Sequence, residues 1–120
     1  MTEGRWTRVS LTREGTLEVD DALGRTRQPV HLSLGTCQQL YLALRIALLT
    51  CADNVGRAIP ILADDILVNF DEQRRLGDAR ALVELSEQRQ VILFTCHEGV
   101  ARALKKAAKQ SGRPATVINL

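Results

Sequence analysis

Residues 59–65, with the sequence IPILADD, decide the fold class of this 120-residue chain. The short, continuous apolar run at 59–63 is typical of a central β-strand that is covered on both faces. Asp64 and Asp65 are the next two residues after this run. Acids at the carboxyl end of a parallel strand stand where ligands bind in such sheets, and Mg²⁺ takes one or two carboxylates together with phosphate oxygens. The competing interpretation is an ordinary acidic turn.

The residues after this stretch predict a βαβ unit. Residues 72–88 repeat apolar side chains at helical spacing, and 91–95 is a second continuous apolar strand. A helix between two such strands implies parallel pairing. A further helix is expected at about 99–110, and a last strand at 115–118. The residues of that last helix expected to face inward are Val100, Ala103, Leu104, Ala107 and Ala108.

The residues before this stretch predict a helix at 36–51, which residues 53–56 end. Its apolar residues occupy one stripe and much of the remaining surface, so we expect a helix that is buried on most sides. Alternation at 6–11 and 17–19, around a turn at 13–15, predicts a β-hairpin.

A third, weaker strand is expected within 26–32, where Pro29 suits an edge position. The predicted fold is therefore α/β, with parallel strands and flanking helices, and a short antiparallel β segment comes first. A chain of this size with 45% hydrophobic and 25% charged residues fits one domain. We divide it into a β-rich opening segment, 1–31, and a larger part, 32–120.

The composition excludes several classes of function. Aromatic residues make up 3% of the chain, which argues against stacking platforms for single-stranded nucleic acid, and a net charge of +2 is too small to indicate nucleic acid by itself. The cysteines are odd in number, without C-x-x-C spacing, so a reducing cytoplasm is the simplest setting. The longest apolar segment, 40–49, is interrupted by Arg45 and is shorter than the ~20 residues that a membrane span needs, so no membrane association is expected.

Two further segments carry candidate functional residues before a helix. Ser33, Gly35 and Thr36 lie just ahead of the first predicted helix, where a hydroxyl, an exposed backbone and free N–H groups can bind an anion. The simpler alternative is that Ser33 or Thr36 only caps the helix. Asp71 is expected to cap the next helix, whatever other role it has.

The last candidate is His97, which follows the strand at 91–95. A histidine in a turn often only satisfies local hydrogen bonds, so His97 alone is weak evidence for a functional site. Cys96 beside it suggests a metal ligand, but no other Cys or His has ligand spacing, and no such site is predicted.

In this order the segments resemble the C-terminal lobe of ABC-type ATPases, over about residues 30–120. Residues 32–36 look like the signature motif, 59–65 like Walker B and 69–71 like the D-loop. Residues 94–97 look like the strand that carries the switch histidine. The sequence of these motifs is most similar to that of SMC-, RecF-, SbcC- and YhaN-like chromosome and DNA-repair ATPases.

The resemblance implies the C-terminal half of a P-loop NTPase fold, the ABC ATPase head, and assigns roles to single residues. In such proteins two heads sandwich two ATP molecules. Ser33, Gly35 and Thr36 would contact nucleotide held on the partner head, and Asp71 would communicate across the dimer. Asp64 would support Mg²⁺, Asp65 would orient the attacking water, and His97 would sense the γ-phosphate.

The sequence departs from the family pattern at two positions. Leu34 replaces a glycine that is common in the signature, and Asp65 stands where many members have glutamate. The shorter acid makes a catalytic role for Asp65 less secure than metal binding by Asp64.

No G-x-x-x-x-G-K-[ST] motif occurs, so the main cradle for the ATP phosphates is absent from these residues. We therefore expect no ATP hydrolysis by this chain alone, and we expect its partner to be an N-terminal P-loop lobe of the same or another chain. DNA is a further candidate partner. Two alternatives stay open, namely a non-catalytic module of the same fold that docks a partner or DNA, and an independent Mg²⁺-dependent phosphohydrolase or nuclease.

Overall fold

The computed structural model describes residues 5–51 and 59–120. Strands β1 (Trp6–Leu11) and β2 (Leu17–Asp21) form an antiparallel hairpin in which Leu11 lies opposite Leu17. Gly15 takes a φ of 79° in the turn, a left-handed conformation that glycine adopts without steric cost. The predicted hairpin is confirmed.

The third strand is shorter than predicted. Strand β3 covers only Thr26–Arg27, pairs with β2 and lies at the edge of the three-stranded sheet. The chain then turns into a 3₁₀ helix at Pro29–His31. Proline has no N–H to donate to a strand ladder, so the strand ends before Pro29.

The described residues of the larger part form three helices and a parallel strand pair. Its elements follow in the order α1 (Leu34–Cys51), β4 (Ile61–Asp64), α2 (Glu72–Leu85), β5 (Val91–Phe94) and α3 (Glu98–Gln110). β4 and β5 pair in parallel, with Ile61 opposite Val91 and Asp64 opposite Phe94. The α/β class and the predicted βαβ unit are confirmed, whereas the predicted end of α1 at 53–56 lies outside the described residues.

The main core lies between α2, α3 and the connector that follows β4. Its buried members come from these three segments and are Leu67, Phe70, Ala79, Leu82, Val83, Val100, Ala107 and Ala108. Ala103 and Leu104 pack against this cluster, as does Leu93 of β5. The inward face predicted for the last helix is therefore confirmed.

Three sequence predictions about burial and strands are wrong. α1 packs on the core through Leu42 and Ile46, but Leu48 on its other side is 62% exposed, so the helix is not buried on most sides. Strand β4 has only β5 beside it among the described residues, and Leu62 is 68% exposed, so it is not covered on both faces. Residues 115–118 form no strand.

None of the described helices combines the length and the apolar character that crossing a membrane requires. α1 is the longest of them, and it carries Arg45 on an exposed position.

One buried polar pair joins α1 to α2. The amide Nε2 of Gln39 donates to Oδ1 of Asp78 at 2.9 Å, and both side chains are buried. Oδ2 of Asp78 has no partner among the described residues. Desolvation raises the pKa of Asp78 from 3.8 to about 6, although the Gln39 hydrogen bond acts in the opposite direction.

The raised pKa of Asp78 predicts a pH-dependent stability. A carboxyl with a folded-state pKa above its unfolded value favours folding below pH 3.8, and this contribution is lost as the pH rises through about 6. Asp78→Asn keeps an acceptor for Gln39 without the charge, so we expect it to raise the free energy of unfolding at pH 8 by up to roughly 3 kcal/mol. At pH 4 the gain should nearly vanish.

Urea unfolding of both proteins from pH 4 to pH 8 measures this difference. Glu84→Gln, which removes an exposed carboxylate from the same helix, is the matched control and should give a flat difference. A pH-independent effect of Asp78→Asn would show that Asp78 does not titrate in this range.

Candidate functional site

The carboxyl ends of β4 and β5 bring the two predicted acids to one edge of the sheet. Asp64 is the last residue of β4, and Asp65 follows it with its backbone N–H donating to the carbonyl of Phe94 at 2.9 Å. Both acids are exposed. Asp65 has a φ of 47°, the left-handed region that non-glycine residues rarely occupy. The backbone at this edge is therefore held in a strained conformation.

His97 meets Asp65 at this edge. His97 lies three residues beyond β5, and its ring does not cap α3, although its backbone occupies the capping position. One ligand atom each from Asp65, Cys96 and His97 all lie within 4.8 Å of one another, and the three side chains are exposed. We call these three residues the strand-end cluster. The structure thus brings together two predicted site residues, Asp65 and His97.

Cys96 was not predicted to be a member of this cluster. Its Sγ lies 3.8 Å from Oδ2 of Asp65. Asp65 is distant from Cys96 in sequence and becomes its neighbour only through the parallel register of β4 and β5. No ligand spacing along the chain could reveal it.

Ser33 caps helix α1. The backbone N–H of Thr36 donates to Ser33 Oγ at 3.3 Å, and the hydroxyls of Ser33 and Thr36 lie 2.9 Å apart. Ser33 therefore caps α1, and this cap does not decide whether Ser33 also binds an anion. If Thr36 donates in the hydroxyl pair, the Ser33 hydroxyl keeps its own proton for a further acceptor.

Asp71 caps helix α2 as predicted, and it lies in the same neighbourhood as Gly35. Its carboxylate accepts from the backbone N–H of Arg74 at 2.9 Å and pairs with Arg74 Nε at 3.2 Å. A Cβ on Gly35 would lie 3.3 Å from Arg74 Nη1 and 3.6 Å from the carbonyl oxygen of Asn69. The start of α1 thus packs closely against the segment that contains Asp71.

Arg75 holds the connector between β4 and α2. Its guanidinium donates to the carbonyls of Leu67 at 3.3 Å and Phe70 at 2.7 Å. A Cβ on Gly99 would lie 2.7 Å from Arg75 Nη1, so glycine at this position leaves the room that the guanidinium occupies. No role was predicted for Arg75 or Gly99, because their contacts depend on the packing of α3 against α2.

The candidate residues therefore form two sets. The first set contains Gly35 and the capping residues Ser33 and Asp71, which lie near Arg74. The second set contains Asp64 and the strand-end cluster. Over the described ranges 5–51 and 59–120, no hydrogen bond or ion pair joins one set to the other. An arrangement of this kind can face two different ligands, or two parts of an assembly.

Comparison with known proteins gives one informative similarity. The chain is 39% identical over 93 residues to the uncharacterized protein YhaN of Bacillus subtilis (strain 168). The matched region covers 72% of this chain and 10% of YhaN, so the chain spans about a tenth of the length of that relative. No family model matches the chain.

The strained backbone of Asp65 predicts an unusual order of stability between two substitutions. Asp65→Gly and Asp65→Ala both remove the carboxylate, but only glycine adopts a φ of 47° without steric cost. We expect the glycine variant to be more stable than the alanine variant by about 1 kcal/mol in urea unfolding.

The same two substitutions at Glu84, inside α2, should give the opposite order, because glycine in a helix interior is about 1 kcal/mol less favourable than alanine. Equal stability of the two variants at position 65 would contradict the strained conformation.

Proposed function

We propose that this chain is the C-terminal lobe of an SMC/RecF-like ATPase head that completes an ATP site together with an N-terminal P-loop lobe. The observation that carries the proposal is the meeting of Asp65 and His97 beside Asp64 at the carboxyl edge of a parallel strand pair. This is the edge where ligands bind in α/β sheets. The similarity to YhaN supports the same class.

The residues at this edge fit Mg²⁺ and ATP as ligands. Asp64 and Asp65 offer exposed carboxylate oxygens, the donors that Mg²⁺ prefers. When bound, Mg²⁺ would neutralise negative charge that develops on the phosphate. Asp64 would hold the metal, Asp65 would orient the attacking water and accept its proton, and the ring of His97 would donate a hydrogen bond to the terminal phosphate.

The set around Ser33 would face the nucleotide of a second head. Ser33 Oγ can donate to a phosphate oxygen when Thr36 donates to it, and α1 adds the positive end of its dipole. Gly35 lies against Asn69, and Asp71 pairs with Arg74. If closure of a head-to-head dimer shifts the start of α1, the contact of Gly35 with Asn69 would therefore transmit the shift to the D-loop, residues 69–71. The division of ATP contacts between two heads lets closure of the dimer control hydrolysis.

The exposed apolar surface favours a P-loop lobe as the partner. Leu34, Tyr41 and Leu48 recur every seven residues on the exposed side of α1, and we call them the α1 stripe. Leu62 and Phe94 are likewise exposed on one face of the parallel pair, a kind of sheet that normally has both faces covered. Since the chain matches only 10% of YhaN, the remainder of a longer protein of this kind supplies candidate covering residues.

A role in DNA repair or chromosome maintenance in the cytoplasm extends the same proposal, with DNA as a further partner. A second candidate function is a non-catalytic docking module, which the exposed α1 stripe also favours. That module would bind its partner equally well with and without nucleotide, and Ser33→Arg would not weaken the binding.

Reconstitution tests the catalytic proposal. The chain is mixed with a P-loop lobe of an SMC/RecF-like ATPase, and phosphate release from ATP is followed. We expect turnover only in the mixture, and a fall of about 100-fold or more with Asp65→Asn, because general-base and water-positioning roles contribute 10²–10⁴-fold.

Glu84→Gln is the matched control, since it removes an exposed carboxylate away from the site. Unchanged turnover with Asp65→Asn would rule out the role of Asp65. Metal-dependent hydrolysis by the isolated chain would instead favour an independent phosphohydrolase or nuclease.

The α1 stripe gives a separate binding prediction. Leu48→Lys places a charge in the proposed contact with the P-loop lobe, so we expect the dissociation constant to rise roughly tenfold or more, which corresponds to about 1.4 kcal/mol. Val30→Lys is the control, because Val30 is equally apolar and exposed but lies outside α1. Equal binding by both variants, measured by calorimetry, would place the contact elsewhere.

A further inference from the structure

The strand-end cluster has a donor set that differs from that of a magnesium site. A carboxylate oxygen from Asp65, a thiol sulfur from Cys96 and an imidazole nitrogen from His97 lie within 4.8 Å of one another. Sulfur and imidazole nitrogen are ligands of Zn²⁺ and similar transition metals, whereas Mg²⁺ selects oxygen. The three donors of the strand-end cluster therefore favour Zn²⁺ or a similar transition metal over Mg²⁺.

The backbone around the cluster fixes the three donors near one another. The N–H of Asp65 is bonded to the carbonyl of Phe94, and the backbone N–H of His97 donates to Thr95 Oγ1 at 3.1 Å. Asp65 has a left-handed φ of 47°, a conformation that persists in a non-glycine residue where the surrounding structure holds it. Its carboxylate then lies 3.8 Å from the sulfur of Cys96.

We infer that Asp65, Cys96 and His97 bind a thiophilic divalent cation such as Zn²⁺, and that this binding inhibits the ATP site. Three protein ligands leave the fourth position of a tetrahedral ion open to water. Cys96 binds as the thiolate, and its proton passes to the solvent. The inhibitory part rests on the proposed function, because it requires Asp65 and His97 to act on the nucleotide. An ion on the cluster withdraws both side chains from that task.

Cobalt spectroscopy on the 120-residue chain tests the binding without nucleotide or a second lobe. Co²⁺ takes tetrahedral sites of this donor type, and a cobalt–sulfur bond gives a charge-transfer absorption in the near ultraviolet. We expect this absorption to appear on titration, to be displaced by Zn²⁺ and to be lost in Cys96→Ser. Asp65→Asn and His97→Gln should each weaken Co²⁺ binding by roughly tenfold or more.

Cys51→Ser is the matched control, because Cys51 is also exposed and free but lies in α1. Retention of the absorption in Cys96→Ser, or its loss in Cys51→Ser, would overturn the site. Equal binding in Asp65→Asn and His97→Gln would show that the sulfur acts without these two ligands and would overturn it as well.

Inhibition by Zn²⁺ is tested separately, by measuring ATP turnover of the reconstituted ATPase. Zn²⁺ should lower ATP turnover, a chelator should restore it, and Cys96→Ser should raise the concentration of Zn²⁺ required by roughly tenfold or more. Equal sensitivity to Zn²⁺ in the variant would refute the inhibition. If the mixture shows no turnover at all, the proposed function fails while the cobalt result still decides the metal site.

Discussion

The parallel register of β4 and β5 is the constraint on which the rest of the site depends. Asp64 lies opposite Phe94, so both strands end at the same level, and the residues that follow them meet at one edge. α2 is the crossover that parallel pairing requires, and it packs with α3 and the connector around one core. A register shift by one residue would turn Ala63, now buried, toward the exposed face and separate Asp65 from Cys96 and His97.

The strain at Asp65 is maintained by this same pairing. Its N–H bond to Phe94 extends the strand ladder by one residue, while its φ of 47° turns the chain away toward the connector. Arg75 then fixes the connector through the carbonyls of Leu67 and Phe70, and the buried Leu67 anchors it in the core. The conformation of one exposed acid thus depends on contacts that are distributed over α2 and α3, which is how a packed domain compensates a locally unfavourable backbone.

Local patterns in the sequence predicted what local physics determines. The hairpin around Gly15 and the caps at Ser33 and Asp71 each depend on residues that are close in sequence. The βαβ unit was predicted from the apolar pattern within each of its three segments. The cluster at Cys96, the place of Arg75 beside Gly99 and the pair of Gln39 with Asp78 depend on packing between distant segments. A single sequence does not encode such contacts in its spacing, and for that reason they escaped prediction.

The errors about burial have a common physical cause. An apolar stripe and an apolar strand predict that something covers them, but they do not say whether the cover belongs to the same set of residues. In α1 one side packs on the core through Leu42 and Ile46, and the other side exposes the α1 stripe. The uncovered face of β4 and β5 carries Leu62 and Phe94 beside the strand-end cluster. Burial of these residues by a second lobe would exclude water next to Asp65 and His97, and electrostatic interactions with a bound phosphate strengthen where water is excluded. The cover that the apolar pattern predicts would thus both stabilise the lobe and complete the environment that its proposed chemistry requires.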